Sequence, residues 1–286
     1  MSGLSAWPGG ARAAVSVTVD NLGEAAEIEL GLRASDAPHG GHYSVVTALP
    51  IMLGALAETR LSATFFVEGI NAEIYPKALA TIVDAGHEIA YHAWCHEDWS
   101  ALDANAETAN LDRGLAALEE IGIEVAGFRP PGGRITPRTI DLLAARGLRH
   151  CSPAGSEPGT LDGVAVLPFA WQAVDAFHVL PTFAALRERL AQDSEAGGAE
   201  AVRAALLTAV EDAIAAGGYA TLVLHTWMIE LELDAVRDVL TRVRAAVDAG
   251  ELWSAPCRDV AAWMAENSTS FDNPPQLDHT SWTGAQ

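Results

Sequence analysis

His92 and His96, in the run HAWCH, stand four residues apart, a spacing that turns two imidazoles to one face of a helical turn and suits a single zinc-like ion. In a chain with nine histidines the same spacing also arises by chance, so the pair gains meaning only from its neighbours. Asp20 closes the apolar run AAVSVTVD, Arg129 opens RPPGG, Asp175 follows Trp171 by four, and His225 ends TLVLH. One carboxylate with two neutral imidazoles would leave a metal position open for water, as in catalytic sites. A histidine oriented by a carboxylate, as Asp175 would orient His225, is held protonated and can give up a proton. Plainer roles compete: a turn residue for Asp20, a hydrogen-bonded core imidazole for His225, solvated charges for Arg129 and Asp175. Cys95, between the paired histidines, is a candidate nucleophile or small buried filler.

These residues can meet only if the fold gathers them. Runs at 13–20, 62–68, 88–93, 124–129, 148–152, 164–171, 221–227 and 252–255 predict strands. Apolar spacing of 3.6 residues predicts helices over 45–58, 73–85, 103–121, 137–145, 182–216 with a break at Gly197-Gly198, 231–249 and after Pro256. Gly86, Gly122, Gly147, Gly217 and Gly250 stand where a left-handed residue closes a helix, and Thr136-Pro137 reads as a cap and first helical residue. This alternation predicts an α/β fold, a distorted (β/α) barrel with seven to eight strands, over residues 1–266. A barrel collects its active site at the C-terminal strand ends, which here carry Asp20, Glu68, His92 with His96, Arg129, Trp171 with Asp175, and His225. Two stretches fall outside the pattern. Residues 23–43 read as a long structureless loop, with His39 and His42 positioned to touch substrate or solvent, and 267–286 as a polar, frayed tail whose Phe271 and Trp282 could dock.

The net charge of −21 disfavours nucleic acid and anionic membranes, and no Lys/Arg run makes a local exception. Half the residues are apolar, so the chain should fold. Three cysteines without short metal spacing fit reduced thiols. The first residues lack the basic and apolar regions of a secretion signal, and the expected location is cytoplasmic.

In order, TVDN at 18–21, HAWCH at 92–96, RPPGG at 129–133, the Trp-x₃-Asp stretch at 171–175 and LVLH at 222–225 resemble the five motifs of the polysaccharide deacetylase family, carbohydrate esterase family 4. TFFVEG, the segment from YPKAL to HAWCHEDW and the long loop ending GHY look most like its cytoplasmic branch of peptidoglycan-deacetylase-like proteins and cyclic imide and ureide hydrolases. The resemblance implies a distorted barrel with a divalent ion, often zinc, held by Asp20, His92 and His96. By the same resemblance Arg129 positions the carboxylate of the first motif, His225 is the general acid and Asp175 tunes it. Asn21, Glu24, His42, Tyr43, Trp94, Pro131, Gly132, Trp171 and Trp227 are the candidates to touch substrate. The family usually has two carboxylates in its first motif, whereas Asn21 and Leu22 follow Asp20 here. Asp20 could then bind metal with Glu24 or Asp36 as base, act as base beside a weak two-histidine site, or belong to a site that no longer hydrolyses. The expectation is a metal-dependent hydrolase of a non-peptide C–N bond acting on a small amino sugar or related metabolite. The alternatives are cyclic imide or ureide ring opening and a non-catalytic binding protein. A small-molecule partner is expected, and family members are often homo-oligomers.

Overall fold

A computed structural model describes residues 7–34, 39–193 and 195–278. The strands are β1 (Ala13–Asp20), β2 (Ala63–Val67), β3 (Glu88–Tyr91), β4 (Gly127–Phe128), β5 (His150–Cys151), β6 (Gly155–Glu157), β7 (Gly159–Leu161), β8 (Val164–Val166), β9 (Tyr219–His225), β10 (Leu252–Ser254) and β11 (Gln276–Leu277). The helices are α1 (Ala25–Glu29), α2 (Leu49–Thr59), α3 (Asn71–Ile74), α4 (Pro76–Asp84), α5 (Ala104–Glu120), α6 (Thr139–Ala145), α7 (Asp175–Val179), α8 (Ala184–Arg189), α9 (Gly198–Ala216), α10 (Ile229–Asp248) and α11 (Cys257–Glu266). Among these residues a curled sheet runs β10-β1-β2-β3-β4-β5-β8-β7, and β9 pairs with β1. Its pairings are parallel except for that of β7 with β8. This is the expected α/β architecture with a distorted barrel. Among the described residues, closure beyond β9 is a single bridge, Val174 to Val223.

All eight predicted strands form, but those at 124–129, 148–152 and 164–171 shorten to two or three residues. Pro130, Pro153 and Pro168 follow each of them and lack the N–H that would extend the ladder. The five predicted helix-closing glycines all take positive φ. Thr136 Oγ1 accepts from Arg138 N–H but does not cap the helix, which starts at Thr139 with Arg138 at its N-cap, two residues later than Pro137 predicts. The loop at 23–43 contains α1 and is not structureless. The described part of the tail is docked, not frayed: Phe271 is buried with its ring 5.1 Å from Trp7, and β11 pairs with β6. Asp36 and Trp282 lie outside the described residues. No described helix is long and apolar enough to cross a membrane.

Alternation along β1 sets the site. Ala13, Val15, Val17 and Val19 join the large core cluster, while Ala14 belongs with Phe66, Ala90, Ala165 and Leu167 in a second one. The even-numbered face therefore carries Ser16, Thr18 and Asp20 to the side where Arg129 lies, with Asp20 at the C-terminal end. In the same buried region, His150 Nε2 bonds Glu88 Oε1 at 2.8 Å, and Glu88 Oε2 accepts from Thr64 Oγ1 and Arg258 N–H. Burial pushes the Glu88 carboxyl up, but the His150 charge and these hydrogen bonds outweigh it and leave it low. Its contribution to stability is thus present above the ordinary carboxylate range and is lost on acidification through the lowered value. A Cβ on Gly127 would sit 2.0 Å from His150 Cε1. Gly127→Ala should therefore displace the ring and cost ~1–3 kcal/mol, read as a lower urea midpoint at unchanged slope.

Candidate active site

Arg129 follows β4 and is 1% exposed, so its charge has to be matched inside the fold. Nη1 donates to Asp20 Oδ1 at 2.6 Å and to Thr18 Oγ1 at 2.9 Å, and Nη2 donates to Ser152 Oγ at 2.9 Å. The guanidinium carbon lies 4.0 Å from the centre of the Phe66 ring. The ends of β1 and β5 and an aromatic face thus fix one cation, and the cation fixes the Asp20 carboxylate. Sequence reading missed Thr18, Ser152 and Phe66, whose residue types carry no signal of this role.

His225 ends β9 and Asp175 begins α7. The register of β1 against β9 sets Asp20 directly beside His225. Asp175 Oδ1 accepts from His225 Nδ1 at 2.5 Å and Oδ2 accepts from the His225 backbone N–H at 2.6 Å, while Ala176 N–H donates to Oδ1. Burial alone would push the imidazole down, but the charge and hydrogen bond of Asp175, with Asp20 adding to them, leave it raised. His225 therefore favours the imidazolium with Nδ1 committed to Asp175, which leaves Nε2–H as the free donor.

His92 and His96 are brought together, with ring centres 5.0 Å apart. The left-handed backbone at Ala93 and His96 bends the HAWCH segment. His92 Nδ1 bonds the Arg129 carbonyl oxygen at 2.8 Å. A carbonyl only accepts, so Nδ1 carries the proton and Nε2 keeps its lone pair. Burial pushes both rings down to about 3, so both are neutral at neutral pH. The pair suits a metal, but the expected trio does not form. Among the described residues no three His, Cys, Asp or Glu side chains stand together as a metal site. Asp20 is engaged by Arg129, and Leu22 is a buried apolar side chain. Asn21 Oδ1 is buried without a hydrogen-bond partner, but a neutral oxygen compensates a cation's lost hydration less than a carboxylate does. The donor set thus lacks the anionic third ligand of a two-histidine, one-carboxylate centre. Asn21→Asp should raise zinc affinity at least about tenfold, measured by chelator competition, because it restores that charge.

A cleft of about 870 Å³ opens over these groups, lined by Asp20, His92, His96, Arg129 and His225 at its polar end and by Leu22, Phe169, Trp171, Phe183 and Trp227 elsewhere. Asn21, His42, Tyr43, Pro131 and Gly132 also line it. His42 is held by Ser44 Oγ at 2.8 Å and Glu27 Oε1 at 3.2 Å. Two expected contacts are corrected. Glu24 is fully buried and accepts from Tyr75 Oη at 2.8 Å and Gly40 N–H at 3.1 Å, so it ties down the loop and is not among the groups lining the cleft. Trp94 lies under the Arg113 guanidinium, 3.4 Å from its carbon, and also falls outside the lining. Burial pushes the Cys95 thiol up to about 12, so it is no nucleophile at neutral pH. Glu68, named above only as a strand end, accepts from Leu22 N–H and Asn71 Nδ2 and so holds the first motif from below. Burial pushes it up to about 8.

Fold and site together define an α/β barrel protein in which an Arg–Asp pair and an Asp–His pair meet at one cleft at the C-terminal ends of the strands. The model of the polysaccharide deacetylase family matches residues 36–151, and the relatives support that family. A peptidoglycan deacetylase-like protein of Gibberella zeae is 40% identical over 88 residues, 30% of this chain and 26% of that one. A peptidoglycan deacetylase of Helicobacter pylori is 27% identical over 111 residues, 38% of each chain. The chain thus spans well under half the length of these relatives. A structure from Mycobacterium smegmatis, provisionally described as a polysaccharide deacetylase, superposes with a TM-score of 0.79 at 25% identity, covering 96% of both chains.

Proposed function

We propose that the protein is a deacetylase-like hydrolase of a non-peptide amide bond, and that its substrate is a small, soluble N-acetylated amino sugar or related metabolite in the cytoplasm. The observation that carries this reading is the pairing at one cleft of a carboxylate fixed by Arg129 with an imidazole fixed by Asp175. The two act at opposite ends of an amide hydrolysis. Asp20 takes a proton from the attacking water, and His225 gives its Nε2 proton to the departing nitrogen. Arg129 keeps the carboxylate aimed, and Asp175 keeps the imidazole in the required tautomer.

Two further groups match an amide. Asn21 Oδ1 and Trp171 Nε1 are buried, belong to residues lining the cleft and have no hydrogen-bond partner among the described residues. One accepts and one donates, complementary to an amide N–H and C=O. A cyclic imide or ureide presents the same pair of groups, and so supports a second reading. The cleft size supports the first reading: about 870 Å³ lies toward the upper end of the ~300–1,000 Å³ range of small-molecule sites, more room than one small ring fills. Parallel turnover assays on N-acetylhexosamines and on succinimide- and hydantoin-type rings separate the two. Acetate release from the sugars is the expected result, and ring opening alone would reverse the order. Inertness toward both sets would favour the non-catalytic binding role.

A further inference from the structure

Six large apolar side chains are exposed among the described residues: Leu30, Leu32, Tyr43, Val46, Val83 and Leu231. All but Val83 of α4 gather around the cleft. Leu30, Leu32 and Tyr43 line it. Tyr43 bonds Glu230, the neighbour of Leu231, and Ser44–Ala48, which carries Val46, packs against Thr226–Met228. Leu30 is 65% and Leu32 76% exposed, so both leave most of their apolar surface in water until a ligand covers it. The same character continues inward. The Trp227 ring centre stands 5.4 Å from that of His225, and Trp171 packs between Phe169 and Phe183, with ring centres 5.3 and 5.6 Å away.

The charges facing the cleft do not suit an anion. Among the described lining residues the Arg129 guanidinium is committed to Asp20 and the His225 ring to Asp175, no lysine is present, and Glu27, Glu29 and Asp98 add carboxylates. A phosphate or carboxylate on the substrate would meet like charge there, with no cation to compensate its lost hydration. Aromatic faces stack on sugars as well as on apolar rings, but leucines offer a sugar neither a ring face nor a hydrogen-bonding atom. We propose that the substrate is an uncharged N-acyl amide whose amine fragment carries an apolar group, aromatic or alkyl, held by Trp227 and the leucine rim. Free hexosamines, sugar phosphates and sugar chains are then the poorer ligands. The proposal rests on the reading of His225 as donor to the departing nitrogen, because that step puts the amine fragment on the side where Trp227 stands.

The test compares N-acetylglucosamine, its 6-phosphate, N,N′-diacetylchitobiose and phenyl N-acetyl-β-glucosaminide on the full chain, by kcat/KM and by Kd from titration calorimetry. The phenyl glycoside should lead the others at least about tenfold in both, with the most negative heat-capacity change on binding. Leu30→Gln/Leu32→Gln changes two exposed side chains and leaves the core alone. It should cut the lead over chitobiose at least about threefold, and Trp227→Gln should cut it further. Chitobiose or the phosphate bound and turned over as well as the phenyl glycoside overturns the proposal and leaves the hydrolase reading standing. A lead that survives both variants also overturns it, as does a dimer lost in the double variant with the lead unchanged, which would give the leucines to a second copy of the chain. A tenfold tighter Kd for the phenyl glycoside with no acetate released upholds the ligand chemistry and sinks the hydrolase reading instead.

Discussion

Arg129→Met should destabilise the protein by ~3–5 kcal/mol and abolish detectable amide hydrolysis. The guanidinium is 1% exposed and is the charge partner of a buried carboxylate, so removing it strands Asp20 without compensation. Thr18 Oγ1 and Ser152 Oγ lose their donors in the same step. Lysine does not substitute, because one ammonium cannot reproduce a planar fork reaching Asp20, Thr18 and Ser152. The double variant Asp20→Asn/Arg129→Met should recover part of the lost stability, since no unpaired charge remains, and none of the activity. Urea unfolding of the single and double variants measures the coupling; strictly additive losses would show that the pair does not act as a unit.

His225→Gln should cut kcat by ~10²–10⁴ with little change in the fold, because it removes the proton donor and leaves the barrel intact. Asp175→Asn should fall in the same direction: an amide can neither hold the imidazolium by charge nor be trusted to leave Nδ1 as the bonded proton. Wild-type kcat should fall on the alkaline side as His225 loses its proton, at a pH above its ordinary value because Asp175 raises it. Stability follows the same sign. The His225 contribution is complete below 6.5 and is lost as pH rises through the raised value, and His225→Gln should remove that alkaline loss. A variant with wild-type turnover would take His225 out of the chemistry.

The polar end of the cleft was legible because strand-terminal residues in a barrel are forced to one mouth, so Asp20, His92, Arg129 and His225 could be placed together from strand positions alone. Their partners were not. Tyr75 reaches Glu24 across 51 residues, and this long-range bond turns a candidate base into a loop anchor. Trp94 sits in the middle of HAWCH, yet the bend there sends it to Arg113, away from the cleft. The shortened strands were readable in retrospect, since Pro130, Pro153 and Pro168 mark where each ladder must stop.

Direct assay of acetate and free amine released from N-acetylated amino sugars, with His225→Gln run beside the wild type, tests the central claim. The account predicts matched release of both products by the wild type and at least a ~100-fold slower rate in the variant. Release at equal rates by both proteins, or none from any N-acetylated sugar while cyclic imides are opened, would contradict it.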